Sequence, residues 1–98
     1  MLASEYVARG WCQGADAKDK DGWLAPPRDP LAVKWCAVGG ILASSEMPPT
    51  NLPYNMIKLC HKLTGGRSLT AWNDWPGRTQ AEVVELLRKA EALALAEE

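Results

Sequence analysis

A chain of 98 residues, 47% hydrophobic and 23% charged, is sized for one domain around one core, above the ~70–80 residues below which a small fold usually needs staples. Its net charge of −1 supplies no long-range field that would draw in nucleic acid or imitate it. The longest apolar run, Cys36 to Ala43, is far short of the ~18–20 residues that span a bilayer. Glu5 comes early and no basic segment precedes an apolar core, so no signal peptide is read. A cytoplasmic protein with no membrane partner is expected.

Leu2, Ala3, Tyr6, Val7, Gly10, Trp11 and Gly14 recur at three- and four-residue steps and predict a first helix reaching about Ala17. Periodicity then fails, and Pro26-Pro27 excludes a continued helix, so residues 18–28 are predicted as a loop pinned by Trp23 and Leu24. Asp29-Pro30 has the form of an N-cap followed by proline at the first helical position, and Leu31, Ala32, Trp35, Cys36, Val38, Gly39 and Leu42 continue a second helix to Ser44. Met47-Pro48-Pro49 reads as a break. Thr50 or Asn51 would cap a third helix carrying Met56, Ile57, Leu59, Cys60 and Leu63, and Thr64-Gly65-Gly66 would end it.

Ser68 to Trp72 reads as a short extended piece, and Trp72-Asn73-Asp74-Trp75-Pro76-Gly77 as an aromatic turn. Thr79 and Glu82 form a T-x-x-E capping box that starts the last helix at Gln80, and that helix should run to about Leu95, burying Val83, Val84, Leu87, Ala90 and Leu93. The predicted fold is all-α: a compact four-helix single domain over residues 1–98, with an aromatic-rich loop before the last helix. Glycines at 10, 14, 39 and 40 would each cost about 1 kcal/mol in a helix interior, which points to a close crossing of the first two helices with Trp11 and Trp35 beside it.

No known catalytic, metal or cofactor signature is present. Cys12, Cys36 and Cys60 lack the close pairing of zinc ligands, and Cys60 and His61, adjacent on a helix, diverge by about 100°. Aligning Gly22 with the glycine of a calcium loop puts Ala17 and Arg28 where carboxylates are required. The odd cysteine count in helical segments argues against a disulfide framework. Basic edges at Lys58, His61, Lys62 and Arg67, and at Arg78, Arg88 and Lys89, are offset by neighbouring acids, so nucleic acid is not expected as a partner.

Tyr6, Arg9, Gln13 and Asp16 would form a polar stripe along the first helix. If that stripe meets the aromatic turn, Gln13, Asp16, Asn73 and Asp74 would line a small polar pocket walled by Trp72 and Trp11, with Arg9 alongside. Asn and Asp are also ordinary turn builders, so the same residues serve a purely structural turn equally well.

Gly10-Trp11-Cys12-Gln13-Gly14-Ala15 followed by Asp19 and Gly22, then Ala32-Val33-Lys34-Trp35-Cys36-Ala37-Val38-Gly39, then Trp72-Asn73-Asp74 leading to Thr79 and Glu82-Val83, resemble a domain-of-unknown-function family of small bacterial and phage proteins. The resemblance covers most of the chain. It implies no catalytic residue and no cofactor. It does imply a phage, prophage or mobile-element setting, in which short proteins act by binding a host or partner protein. Trp23 to Asp29 and the Met47-Pro48-Pro49 connection lie outside the resemblance, and partner-specific contacts are expected there.

The expected function is therefore a non-catalytic protein-interaction module that binds a host or phage protein, with tryptophans as anchors. The alternative is a small-molecule-binding or weakly hydrolytic protein using the polar pocket near Asn73 and Asp74. Leu86, Leu93 and Leu95 would also allow a homodimer through the last helix.

Overall fold

Short stretches of sequence change their backbone partner several times along the chain, and the computed structural model shows the result. Its elements are α1 (Ala3–Arg9), β1 (Ala17–Asp19), β2 (Ala32–Trp35), α2 (Ala37–Ala43), α3 (Leu52–Leu63), α4 (Leu69–Asn73) and α5 (Gln80–Ala96). The structure describes residues 1–44 and 52–96. The all-α, four-helix expectation is overturned: the described residues hold five helices and a two-stranded antiparallel sheet, a small mixed α/β fold.

The difference arises in the first half. α1 stops at Arg9 because Gly10 turns extended and its carbonyl accepts the Trp35 N–H at 3.0 Å, while the Cys12 N–H donates to Trp35 O at 3.3 Å. Backbone pairing with a distant segment thus takes the place of further helical bonds in a glycine-rich stretch of poor helix propensity. The loop expected over 18–28 begins inside β1, which pairs with β2 in the register Ala17↔Trp35 and Lys18↔Lys34, with an irregularity before Asp19↔Ala32.

The predicted helix start at Asp29-Pro30 is a turn instead. Asp29 Oδ1 accepts the Leu31 N–H at 2.8 Å and Asp29 O accepts the Ala32 N–H, so the side chain that resembles a cap holds the entry to β2. The helix begins only after Cys36, whose Sγ accepts the Gly39 N–H at 3.3 Å.

The second half follows the sequence more closely. α3 ends at Leu63, and Gly65 and Gly66 take positive φ beyond it. The Met47-Pro48-Pro49 break and the Thr50 or Asn51 cap lie outside the described residues. The extended piece expected at 68–72 is the short helix α4, capped by Ser68 Oγ on the Ala71 N–H, so Trp72 and Asn73 sit on a helical turn rather than in a loop.

α5 starts where the capping box requires. Glu82 Oε1 accepts the Thr79 N–H at 2.9 Å, and Thr79 Oγ1 accepts the Glu82 N–H at 3.3 Å. The Thr79 backbone bond, followed by its hydroxyl and by the Arg78 charge, holds the Glu82 carboxyl below the ordinary range. A lowered folded value means that the box stabilises fully above the unfolded glutamate pKa of about 4.3 and fails as pH falls through the folded value. The protection factors of the Thr79 and Glu82 amides, taken relative to intrinsic exchange at each pH, should therefore fall on acidification ahead of those in the α5 interior. In Glu82→Ala, which removes the carboxylate, the Thr79 amide should be poorly protected at neutral pH as well.

The core is one cluster drawn from every described element, with Val7, Ile41, Met56, Cys60, Val83 and Leu87 fully buried. α1 lies between α2 and α5, and α3 packs on α5. Glu91 of α5 is 8% exposed and accepts both the Ser4 N–H at 2.9 Å and the Ser4 hydroxyl at 2.6 Å, which fixes the start of α1 on α5. Of the α5 residues expected inside, Val83, Val84, Leu87 and Ala90 are buried, whereas Leu93 is exposed.

Candidate functional site

The structure brings Trp11, Gln13, Asn73 and Asp74 together, although not on the elements expected. Gln13 and Asp16 lie beyond the end of α1, so no polar stripe runs along a first helix. Instead, residues 11–14 form a strap, bending at Gln13 and Gly14, that is bonded to the end of α4. Asn73 is fully buried at this junction. Its Oδ1 accepts the Trp11 indole N–H at 2.9 Å and the Ala37 backbone N–H at 3.0 Å, and its Nδ2 donates to Cys12 O at 3.1 Å and to Asp74 Oδ1 at 2.9 Å.

These four bonds use the whole capacity of a primary amide: two donors and two lone pairs. Asp74 Oδ1 also accepts the Gly14 N–H, and Gln13 Nε2 donates to Asn73 O and Trp75 O. The arrangement is a clasp that ties the strap, α2 and α4 to one another, and Asn73 has no polar atom left for a ligand.

Trp72 walls this region from outside. The Arg78 guanidinium lies 3.7 Å from its ring centroid, and Arg78 Nε donates to Trp72 O at 2.9 Å. Asp16 contributes chiefly through its backbone, whose carbonyl accepts the Cys36 N–H at 3.1 Å; its side chain faces the Cys36 thiol. Arg9 is not brought to the clasp. It lines a separate cleft with Tyr6, Pro27 and Arg28.

The three cysteines are free and buried. Burial pushes the Cys36 thiol up to about 11 and the Cys60 thiol up to about 12, and raises Cys12 as well. Thiolate, the nucleophilic and metal-binding form, is thus suppressed at all three. Among the described residues no three potential metal ligands come together.

The surface outside the clasp carries a different feature. Of nine exposed large hydrophobics among the described residues, four lie between β1 and the middle of β2: Trp23, Leu24, Leu31 and Val33. Trp23 is 73% exposed, Leu24 77% and Leu31 69%, so Trp23 and Leu24 do not pin the connection as expected. They are held outward by the backbone. Asp19 Oδ1 accepts the N–H groups of Asp21 and Trp23, Asp19 N–H donates to Trp23 O, and Ala25 N–H donates to Ala17 O.

This ordering makes the display a built surface rather than a loose loop. Sequence periodicity does not reveal it, because these residues obey neither a helical nor a strand face. Their position among Asp, Lys and Pro residues, outside any amphipathic pattern, is the signal that was available.

The described residues thus form a small mixed α/β fold with a saturated internal clasp and a hydrogen-bonded hydrophobic display. The chain belongs to a family of unknown function, DUF6197, whose family model matches residues 2–93. No curated protein and no solved structure was found to match it. No described helix is long and apolar enough to cross a membrane.

Proposed function

We propose that the protein is a non-catalytic interaction module that binds a partner protein through the connection between β1 and β2. The observation that carries this reading is the outward display of Trp23 and Leu24, with Leu31 on the same connection and Val33 in β2, by a backbone that is itself hydrogen-bonded. Large hydrophobics presented on ordered backbone lose little conformational entropy on docking, and tryptophan is over-represented among interface residues that dominate affinity. A host or phage protein as partner, in a phage or prophage setting, belongs to the same proposal and rests on the resemblance.

A homodimer through α5 has less to support it. Leu86 is spent in the chain's own core, leaving Leu93 and Leu95 exposed near the end of the helix. The polar-pocket alternative is weakened by the full internal bonding of Asn73.

The test is a Trp23→Ala/Leu24→Ser variant compared with the parent in quantitative affinity capture from native host lysate. Both positions are exposed, so the melting temperature should be unchanged within the range of surface substitutions, about 0.5 kcal/mol. A near-stoichiometric protein captured by the parent should fall at least about tenfold in yield with the variant. Equal capture by both proteins would overturn the reading.

A further inference from the structure

Arg9 and Arg28 come from distant parts of the chain and line one cleft of about 370 Å³, with Tyr6, Trp35, Pro27 and Pro30. Its aromatic side is fixed: the Tyr6 and Trp35 rings are 5.0 Å apart at 59°, and the Trp35 indole N–H donates to Pro27 O at 3.0 Å. That bond and the two prolines make the wall rigid. Arg28 is anchored by one bond, Nε to Leu42 O at 2.9 Å, which leaves its two terminal nitrogens uncommitted.

The Arg9 side chain has no hydrogen bond or ion pair to any described residue, and neither arginine takes part in the ion pairs among the described residues, Arg78 with Glu82 and Lys89 with Glu85. The one carboxylate in the lining, Asp29, has Oδ1 committed to the Leu31 N–H. Two guanidinium charges therefore stand against one carboxylate beside an aromatic and proline surface.

We propose that this cleft binds a small organic anion, a phosphate or carboxylate group carried on a planar body. Guanidinium groups recognise both oxyanions through paired, charge-assisted N–H bonds, and the planar body would lie along the Tyr6 and proline side. Anchoring of Arg28 by Leu42 O and of Pro27 by Trp35 removes part of the ordering cost of binding. The volume lies in the range of small-ligand sites. This site is separate from the Trp23 and Leu24 display, and either proposal stands if the other fails.

The experiment is an NMR titration of the intact protein with phenyl phosphate, benzoate, inorganic phosphate and phenol, followed through the Trp35 indole N–H and the Arg28 Nε–H. Phenyl phosphate or benzoate should saturate with a Kd of about 1 mM or tighter, and whichever of them binds identifies the oxyanion. Arg9→Gln and Arg28→Gln should each weaken that binding about tenfold, while Arg88→Gln on α5 should leave it unchanged. The Arg9 side chain holds no bond to any described residue, so its variant remains informative even if Arg28→Gln perturbs the fold. No saturation by either aryl anion, equal affinity in the Arg9 and Arg88 variants, or binding of phenol as tight as that of the anions would overturn the proposal. Inorganic phosphate binding as tightly as phenyl phosphate would overturn the planar-body requirement.

Discussion

Replacing Asn73 by alanine should lower the unfolding free energy by about 3–5 kcal/mol, among the largest losses available to a single side chain here. The amide satisfies the Trp11 indole N–H, the Ala37 N–H and the Cys12 carbonyl at a fully buried point. Alanine would leave these groups without their partner, and a buried polar group left unpaired costs about 1–3 kcal/mol. For a domain of this size the melting temperature should fall by more than about 12 °C.

Asn73→Asp sharpens the test. It keeps an acceptor toward Trp11 and Ala37 but sets a carboxylate against Cys12 O and the Asp74 carboxylate, so its folded pKa should rise above the unfolded value of about 3.9. A raised acid pKa removes stability as pH climbs through it, so this variant should come closest to the parent at low pH and fall behind toward neutrality. Thermal melts between about pH 3.5 and 7 measure this directly. An Asn73→Ala protein that melted like the parent would show that the clasp is not what holds the strap on α4.

Gly39→Ala should also be strongly destabilising, by about 2–3 kcal/mol, although helix propensity alone predicts a gain of about 1 kcal/mol. A Cβ at Gly39 would fall inside contact distance of the Asp16 carbonyl oxygen and lie 2.7 Å from its carbonyl carbon. That carbonyl is fixed because it accepts the Cys36 N–H at the start of α2, so the obstruction is backbone and cannot rotate away. Gly40→Ala meets Val7 Cγ2 at 2.9 Å and Ala3 O at 3.0 Å, a much less severe approach than that to the Asp16 carbonyl, and should cost less. Chemical denaturation of the two variants gives the order. A Gly39→Ala protein more stable than the parent would refute the close approach. The glycine pair thus does mark tight packing, but with two different neighbours: Gly40 against α1 and Gly39 against the segment entering β1.

α5 was readable in advance because its start rests on chemistry within four residues, Thr79 and Glu82, and its buried face on a 3.6-residue period. α3 was readable for a similar reason, from its apolar face and its glycine stop. Gly10 to Gly14 and Ala32 to Trp35 were not, since apolar residues there also fall at helical spacing. What decides those segments is the bonding of Gly10 and Cys12 to Trp35, and of Ala17 to Trp35 across the sheet, between residues far apart in sequence.

Asp29-Pro30 shows how local chemistry can serve two outcomes. A side chain that accepts the N–H two residues on suits a cap or a turn, and only the strand that follows selects between them.

The candidate residues divide along the same line. The sequence offered a meeting of Trp11, Gln13, Asn73 and Asp74 only on the condition that a helical stripe reached the aromatic turn; the structure joins them through a segment beyond α1, and their role depends on bond counting that no sequence supplies. The amide of Asn73 is consumed by the fold. Arg9, grouped with them by helical spacing, is instead joined to Arg28 because α1 ends before the strap begins.

By itself the sequence determined the single-core size, the absence of a membrane-spanning run, the capped start of α5 and the glycine stop after α3, since each depends on composition or on neighbours along the chain. Only the tertiary structure decided that the first half turns from helix to sheet, that Asn73 is a clasp, and that Trp23 and Leu24 face outward. Each of those depends on which distant backbone group or packing surface is present to satisfy a hydrogen bond or cover a side chain.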